Sequence, residues 1–211
     1  MTLQEVKELA HKGEGLKIEF KKKANFPDKI LREVIAFANT QGGDVLIGVD
    51  DDGTVSGLRF IEEEIFVMQK AICEGIFPPL SVQVFTVRLN EKKGVAVFRI
   101  PMSPSRPHYL MSENKKLSFV RVEDRSVQAS KEVWEVIKKS SLPKDTIFTY
   151  GKKEEVLMKL LAEKERITLK EFASVAQLPI KLASSTLVRL VVANVLCIHP
   201  QEGDDFFTLK E

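Results

Sequence analysis

The segment GEGLKIEFKKK, residues 13–23, places two acidic residues directly before a run of three lysines. Glu14 and Glu19 carry the carboxylate oxygens that a hard cation such as Mg²⁺ prefers. The lysines that follow could attract a phosphate backbone, which the acids alone would repel. A structural alternative is a short strand of alternating charges beside solvent, where acid–lysine pairs contribute little. The residues themselves leave both interpretations open.

Composition limits the classes of protein that fit. The 211 residues are 44% hydrophobic, which is ordinary for a globular chain of one large or two small domains. No apolar run approaches the roughly 20 residues of a membrane span, and the N-terminus lacks the apolar core of a signal peptide. Cys73 and Cys197 give no disulfide framework and no CxxC pair. We therefore expect a cytoplasmic protein without a membrane segment.

The charge balance limits how nucleic acid could be bound. The formal net charge is only +2 at pH 7, with 32 basic and 30 acidic side chains. Affinity for a phosphate backbone would have to come from local clusters of basic residues and not from the chain as a whole.

Hydrophobic periodicity predicts a mixture of helices and strands. In residues 16–20, Ile18 and Phe20 should face the core while Glu19 lies on the opposite side with Lys17 and Lys21. Asp50 ends a second strand, and residues 101–116, with three prolines, should be irregular. Predicted helices cover 2–13, 29–40, 61–76 and 130–139, and predicted strands cover 16–20, 44–49, 80–88, 95–100 and 117–122. This pattern favours an α+β domain with a mixed sheet.

The C-terminal part has its own pattern. Residues 154–164 and 180–193 read as helices, and Thr168-Leu-Lys-Glu171 is a capping box that opens a helix between them. Strand-like residues 195–199 and 206–209 follow, which completes the order typical of a small winged helix-turn-helix domain. We predict domains at 1–140 and 152–211, joined by a linker at 141–151.

Four stretches of the N-terminal part resemble one family. They are GEGLKIEFK at 13–21, IAFANTQGGDVLIGVDDDGTVSG at 35–57, PSRPHY at 104–109 and FVRVEDRSVQAS at 119–130. In this order they are similar to the Schlafen-type AlbA domain, over roughly residues 5–135. The resemblance implies nucleic-acid binding, mainly of DNA, with RNA as the other possible partner. Joined to a winged helix, it implies a regulatory protein that could be a homo-oligomer.

The same resemblance carries an alternative activity. Some Schlafen proteins are endoribonucleases with two glutamates and an aspartate near a metal, and these align with Glu14, Glu19 and Asp50. Asp51 is an acceptable neighbour for the third position. Mg²⁺ or Mn²⁺ held there would bridge phosphate oxygens and activate water. The chain is shorter between Glu19 and Asp50 than the nuclease members, so we take nuclease activity as the alternative to binding.

Basic side chains elsewhere complete the predicted site. Arginine forks suit phosphate, and His108 lies in the same proline-rich loop as Arg106. The alternative is that His108 packs against Tyr109 and that the arginines pair with Glu123 and Asp124. Gly42–Gly43 either ends a helix or lets backbone amides approach a phosphate. The predicted nucleic-acid contacts are Lys21, Lys22, Lys23, Arg106, Arg121, Arg125, Lys181, Ser185 and Arg189. A scaffold that binds neither nucleic acid nor metal is the third possibility.

Overall fold

The structure is a computed structural model that describes residues 1–140 and 150–210. The chain divides into two compact units, Met1–Val127 and Gln128–Glu211. The mixture of helices and sheets confirms the predicted α+β class. Within the described residues, no single helix is long and apolar enough to cross a membrane. The helices Leu169–Val175 and Ile180–Val192 reach that length and apolar content only when they are counted as one bent pair.

Helices and strands alternate in the first half of the first unit, and short strands follow. The three helices are α1 (Leu3–Lys12), α2 (Pro27–Asn39) and α3 (Ile61–Gly75). The strands are β1 (Ile18–Lys21), β2 (Gly43–Ile47), β3 (Gln83–Arg88), β4 (Gly94–Ile100), β5 (Leu110–Ser112), β6 (Lys115–Leu117), β7 (Phe119–Val122) and β8 (Arg125–Gln128).

A four-stranded mixed sheet organises this unit. Its order is β1-β2-β4-β3, with β1 and β2 parallel and the other pairs antiparallel. Helices cover both faces: one core layer lies against α2 and α3, and the other against α1. Alternation along the strands follows this division, since Val45 and Ile47 join the first layer while Leu46 joins the second.

Local sequence explains where α1 begins. Thr2 accepts a hydrogen bond from the amide of Glu5, and the Glu5 carboxylate accepts one from the amide of Thr2. This capping box satisfies two amides that would otherwise lack partners. Val6 and Ala10 then pack onto the sheet from the same side of the helix.

The expectation of an irregular segment at 101–116 was wrong in its second half. β5 and β6 pair as a hairpin there. Glu113 and Asn114 both have positive φ, at 47° and 63°, as a tight hairpin turn requires. The predicted strand at 117–122 is likewise divided between β6 and β7. A turn with glutamate in a left-handed conformation carries little sequence signal, which explains the miss.

In its described residues, 128–140 and 150–210, the second unit is formed by four helices and a small sheet. Its helices are α4 (Lys131–Ser140), α5 (Lys152–Lys164), α6 (Leu169–Val175) and α7 (Ile180–Val192), and its strands are β9 (Arg166–Thr168), β10 (Leu196–His199) and β11 (Phe206–Leu209). The antiparallel sheet has the order β10-β11-β9, so the predicted hairpin gains a third strand. Leu157, Phe172, Leu187 and Phe207 form the centre of its core.

Helix α4 belongs to this second unit by its contacts. It packs on α7, where the hydroxyl of Ser184 donates to a carboxylate oxygen of Glu132. The predicted boundary at residue 140 would assign this helix to the first domain, 1–140. The predicted linker at 141–151 lies almost wholly outside the described residues.

Candidate nucleic-acid interface

The acidic side chain of β1 is buried, although sequence alternation suggested a solvated face. Ile18 and Phe20 face the layer beneath α1, as expected. Glu19 points to the other side of the strand, where α2 and β7 supply Glu33 and Arg121. The alternation was read correctly, but the assumed solvent side is covered by protein.

Arg121 is the centre of a buried ion cluster. Its side chain is 0% exposed; Nη2 donates to Oε2 of Glu19 and Nη1 donates to Oε2 of Glu33, each at 2.7 Å. Nε donates to the carbonyl of Gly15 at 3.0 Å, and the guanidinium lies 4.9 Å from the ring centre of Phe37. Arg121 is therefore placed to hold β1, α2 and β7 together and has no access to phosphate.

One acid of this cluster is perturbed by its surroundings. Burial raises the pKa of Glu33 above its ordinary value, and the nearby Glu19 carboxylate acts in the same direction. Hydrogen bonding from Ser126 and the charge of Arg121 oppose that shift. Two carboxylates thus share one arginine, with Lys21 as a further cation against Glu19.

The other two predicted metal ligands have separate partners. Oε1 of Glu14 accepts the amide of Phe20 at 2.8 Å. Asp50 accepts the hydroxyl of Ser56 and pairs with Nζ of Lys22 at 3.1 Å, and both interactions lower the pKa of Asp50. In residues 1–140 and 150–210, no group of three or more His, Cys, Asp or Glu side chains is arranged to hold a metal ion. The Glu14, Glu19 and Asp50 donors do not fit a shared cation.

The lysine run differs in exposure from one residue to the next. Lys21 is half-buried against Glu19, whereas Lys22 reaches Asp50 from a side chain that remains 74% exposed. Lys23 is exposed and forms no ion pair with the described residues. Acids and lysines are brought together as pairs, and two of the three ammonium groups face solvent.

An exposed aromatic residue completes this surface, and sequence reasoning missed it. Phe26 precedes α2 and is 67% exposed, with Nζ of Lys29 5.2 Å from its ring centre. We call Lys22, Lys23, Phe26 and Lys29 the basic-aromatic surface. A phenylalanine three residues after a lysine run, followed by another lysine, was the available signal.

The predicted loop residues serve mainly the fold. Nη1 of Arg106 donates to the carbonyl of Ser103 at 2.9 Å. His108 is completely buried, and its Nδ1 lies 2.8 Å from the carbonyl oxygen of Pro78. Arg125 is exposed on the β7–β8 hairpin, so its guanidinium is accessible to a phosphate, as the predicted contact requires.

Asn39, at the end of α2, fixes this loop. Nδ2 donates at 3.0 Å to the carbonyls of His108 and Phe119 and to the hydroxyl of Ser118. Oδ1 accepts the amide of His108 at 2.7 Å. The neighbouring Thr40 hydroxyl accepts the amide of Arg121 at 2.9 Å. Both side chains tie α2 to the segments around β7.

Gly42–Gly43 follows the end of α2 and packs closely against neighbouring backbone and side chains. A Cβ at Gly42 would lie 2.7 Å from the carbonyl oxygen of Ile100, and one at Gly43 would lie 2.6 Å from the ring of Phe37. The Gly42 amide donates to the Phe37 carbonyl at 2.8 Å. Of the two interpretations left open, close packing fits these contacts.

The family model described as Schlafen, AlbA_2 matches residues 14–130. The chain belongs to the Schlafen AlbA_2 family. The matched region includes β1, the ion cluster, the basic-aromatic surface and the β7–β8 hairpin. It ends just before α4, in agreement with the grouping of that helix with the second unit.

Two solved structures are similar to the chain. One is the N-terminal domain of a RecG-related protein from Nitrosomonas europaea, 18% identical with a TM-score of 0.45, covering 69% of this chain and 98% of that one. The other is the DIP2311 protein from Corynebacterium diphtheriae, 18% identical with a TM-score of 0.46, covering 70% of this chain. The match spans about a third, 32%, of DIP2311. A search of curated proteins finds no match.

Beyond the AlbA_2 region, the second unit presents a limited polar surface on α7. Lys181 and Ser185 are exposed near the start of the helix. Arg189 lies one turn further and pairs with the buried Glu154 at 3.4 Å. Of the three residues predicted to contact nucleic acid here, Lys181 and Ser185 are open, while Arg189 stabilises the packing of α7 against α5.

We predict that the buried His108 makes the stability of the AlbA_2 domain depend on pH. Burial lowers the pKa of His108, against the opposing effect of the hydrogen bond to Pro78. As the pH falls, His108 is therefore protonated in the unfolded chain before it is protonated in the folded one. Its contribution to the free energy of unfolding is complete above about pH 6.5 and is lost as the pH falls toward the folded pKa. We expect the urea midpoint, followed by far-UV circular dichroism, to drop between pH 7.5 and 5.5.

Variants isolate this contribution. His108→Gln keeps a donor for the Pro78 carbonyl and should show a smaller drop, whereas exposed His11→Gln should behave as wild type. The raised pKa of Glu33 acts in the opposite direction, so the difference between variant and wild type is the quantity to compare. An unchanged drop in His108→Gln would contradict the assignment.

Proposed function

We propose that the chain is a nucleic-acid-binding protein with a regulatory role, acting mainly on DNA. Membership of the AlbA_2 family supports the proposal in general terms. The observation that carries it is the basic-aromatic surface, where exposed lysines precede and follow an exposed phenylalanine just after the edge strand β1, and one of them, Lys29, lies beside the ring.

The chemistry of this surface suits a polynucleotide. Lys22 and Lys23 reach phosphates, and their charges release counterions from the backbone. Phe26 offers a flat face on which an unpaired base can stack, with Lys29 beside the ring. A small anionic metabolite would need the charges but would not need the exposed ring.

The second unit supplies a further contact in this proposal. The order α5, β9, α6, α7, β10 and β11 is that of a winged helix, in which the third helix enters a groove of DNA. Lys181 and Ser185, on the first turns of α7, would carry that contact, because Arg189 is engaged with Glu154. The packing of α4 on α7 leaves the start of α7 open.

Binding to DNA as a function of salt tests the proposal. Wild-type affinity should fall linearly with the logarithm of salt, and Lys22→Glu with Lys23→Glu should reduce the slope by about 2. Phe26→Ala should weaken binding of a single-stranded oligonucleotide by about 1–3 kcal/mol and change its salt slope little. Fluorescence anisotropy with matched DNA and RNA oligonucleotides measures both and separates the two partners.

Controls fix the interpretation. Lys92→Glu changes an exposed lysine in the β3–β4 turn and should leave affinity nearly as in wild type. Lys181→Glu should weaken duplex DNA but not a short single strand. A flat salt response, or equal affinity in the Lys22/Lys23 variant, would contradict phosphate contact by this surface.

A further inference from the structure

The outer face of α3 carries apolar side chains that the fold does not use. Its inner face packs Ile61, Met68 and Ile72 into the core. On the opposite face, Phe66 is 68% exposed and Val67 is 41% exposed. An exposed phenylalanine and an exposed valine on the half of the helix turned away from the core indicate a surface that contacts something else.

Charged residues extend this face along the helix. At 3.6 residues per turn, Glu63, Lys70 and Glu74 lie on the same side as Phe66 and Val67. We call these five residues the α3 stripe. All three charged members are exposed.

The charges of the α3 stripe have no counterparts within the fold. Over residues 1–140 and 150–210, none of Glu63, Lys70 and Glu74 forms an ion pair. The neighbouring acids of the first turn behave differently: Glu62 pairs with Arg88, and Glu64 accepts the amide of Ala24. Among the described residues, the acids beside the fold thus have partners, whereas the charged side chains of the α3 stripe form no ion pairs.

We propose that the α3 stripe is the interface of a homodimer in which two α3 helices pack antiparallel. A two-fold axis between Phe66 and Val67 brings these residues of both copies together at the centre. The same axis places Glu63 opposite Lys70 of the second copy, because the two positions are equally distant from it. Arg59, just before the helix, meets Glu74 of the second copy in the same way. This inference is independent of nucleic-acid binding.

The charge pattern selects this occupant and this orientation. A parallel two-fold pair would place Glu63 against Glu63 and Lys70 against Lys70, which is repulsive. The antiparallel pair converts every such contact into an attraction, so the stripe is complementary to itself. The interface is only one helix face wide and therefore small, so we expect a weak dimer with a dissociation constant of about micromolar.

Sedimentation equilibrium of the full chain over a wide concentration range tests the inference. Wild type should show a monomer–dimer equilibrium, and Phe66→Asp should be monomeric. Glu63→Lys alone and Lys70→Glu alone should each weaken dimerisation about tenfold or more, since each places like charges opposite one another twice. The double variant Glu63→Lys/Lys70→Glu should restore the wild-type dissociation constant.

The restoration is the decisive result, because a loss of folding could not produce it. Glu91→Lys, a charge reversal in the exposed β3–β4 turn, should leave the equilibrium unchanged. A wild type that stays monomeric at several hundred micromolar would overturn the proposal and leave the stripe to a different partner. A dimer that persists in Phe66→Asp, or a double variant no better than the single ones, would overturn it as well.

Discussion

Replacing Arg121 with methionine is expected to lower the free energy of unfolding of the first unit by about 3–5 kcal/mol. Methionine keeps much of the apolar stem but removes every donor of the guanidinium. Glu19 and Glu33 would then face each other in the interior without their shared cation, and the carbonyl of Gly15 would lose its donor. Removing one member of a buried ion cluster costs far more than the cluster contributes to stability.

Chemical denaturation followed by far-UV circular dichroism measures this effect. The single tryptophan, Trp134, lies on α4 and reports on the second unit, so fluorescence should change little. Arg125→Met, four residues away on the same hairpin but exposed, should stay within about 0.5 kcal/mol of wild type. Adding Glu19→Gln and Glu33→Gln to Arg121→Met should recover part of the loss; a wild-type midpoint in Arg121→Met would contradict the role of the cluster.

The second large effect is expected at Asn39. Changing it to alanine removes the acceptor of the His108 amide and a donor to the carbonyls of His108 and Phe119. Each buried polar group left without a partner costs about 1–3 kcal/mol, and we expect a total loss of about 2–4 kcal/mol. The loop at 101–109 should also exchange its amide hydrogens faster, because Asn39 fixes it to α2.

Hydrogen exchange resolved by mass spectrometry distinguishes this local effect from global loss of stability. The matched control is Asn25→Ala, an exposed asparagine before the same helix, which should change neither stability nor exchange. Unchanged protection of the 101–109 loop in Asn39→Ala would contradict its role as the tie between loop and helix.

Local chemistry made much of the fold predictable. The capping boxes at Thr2 and Thr168 and the helical spacing of α2 mark their elements directly in the sequence. Alternation on β1 correctly assigned Ile18 and Phe20 to one face. Such signals depend on residues within a few positions of one another, so a single sequence contains them.

The candidate site was less predictable because its contacts are long-range. From the sequence alone, Arg121 in its hairpin is a candidate phosphate ligand. The tertiary structure shows instead that it pairs with Glu19, 102 residues earlier, and with Glu33. The family resemblance brought Glu14, Glu19 and Asp50 to attention, but it could not reveal that each has a different partner. The basic-aromatic surface required knowledge of exposure, since a buried Phe26 would look the same in the sequence.

The ion cluster also sets the order in which the domain can be completed during synthesis. Glu19 and Glu33 are translated early, but Arg121 follows Glu19 by 102 residues. At roughly 5–20 residues per second, the ribosome takes roughly 5–20 seconds to supply it. Until then the nascent chain lacks the arginine that pairs with both carboxylates, so the contacts that join β1 and α2 to β7 cannot form. The β7–β8 hairpin is therefore the last element to add its contacts to the first unit.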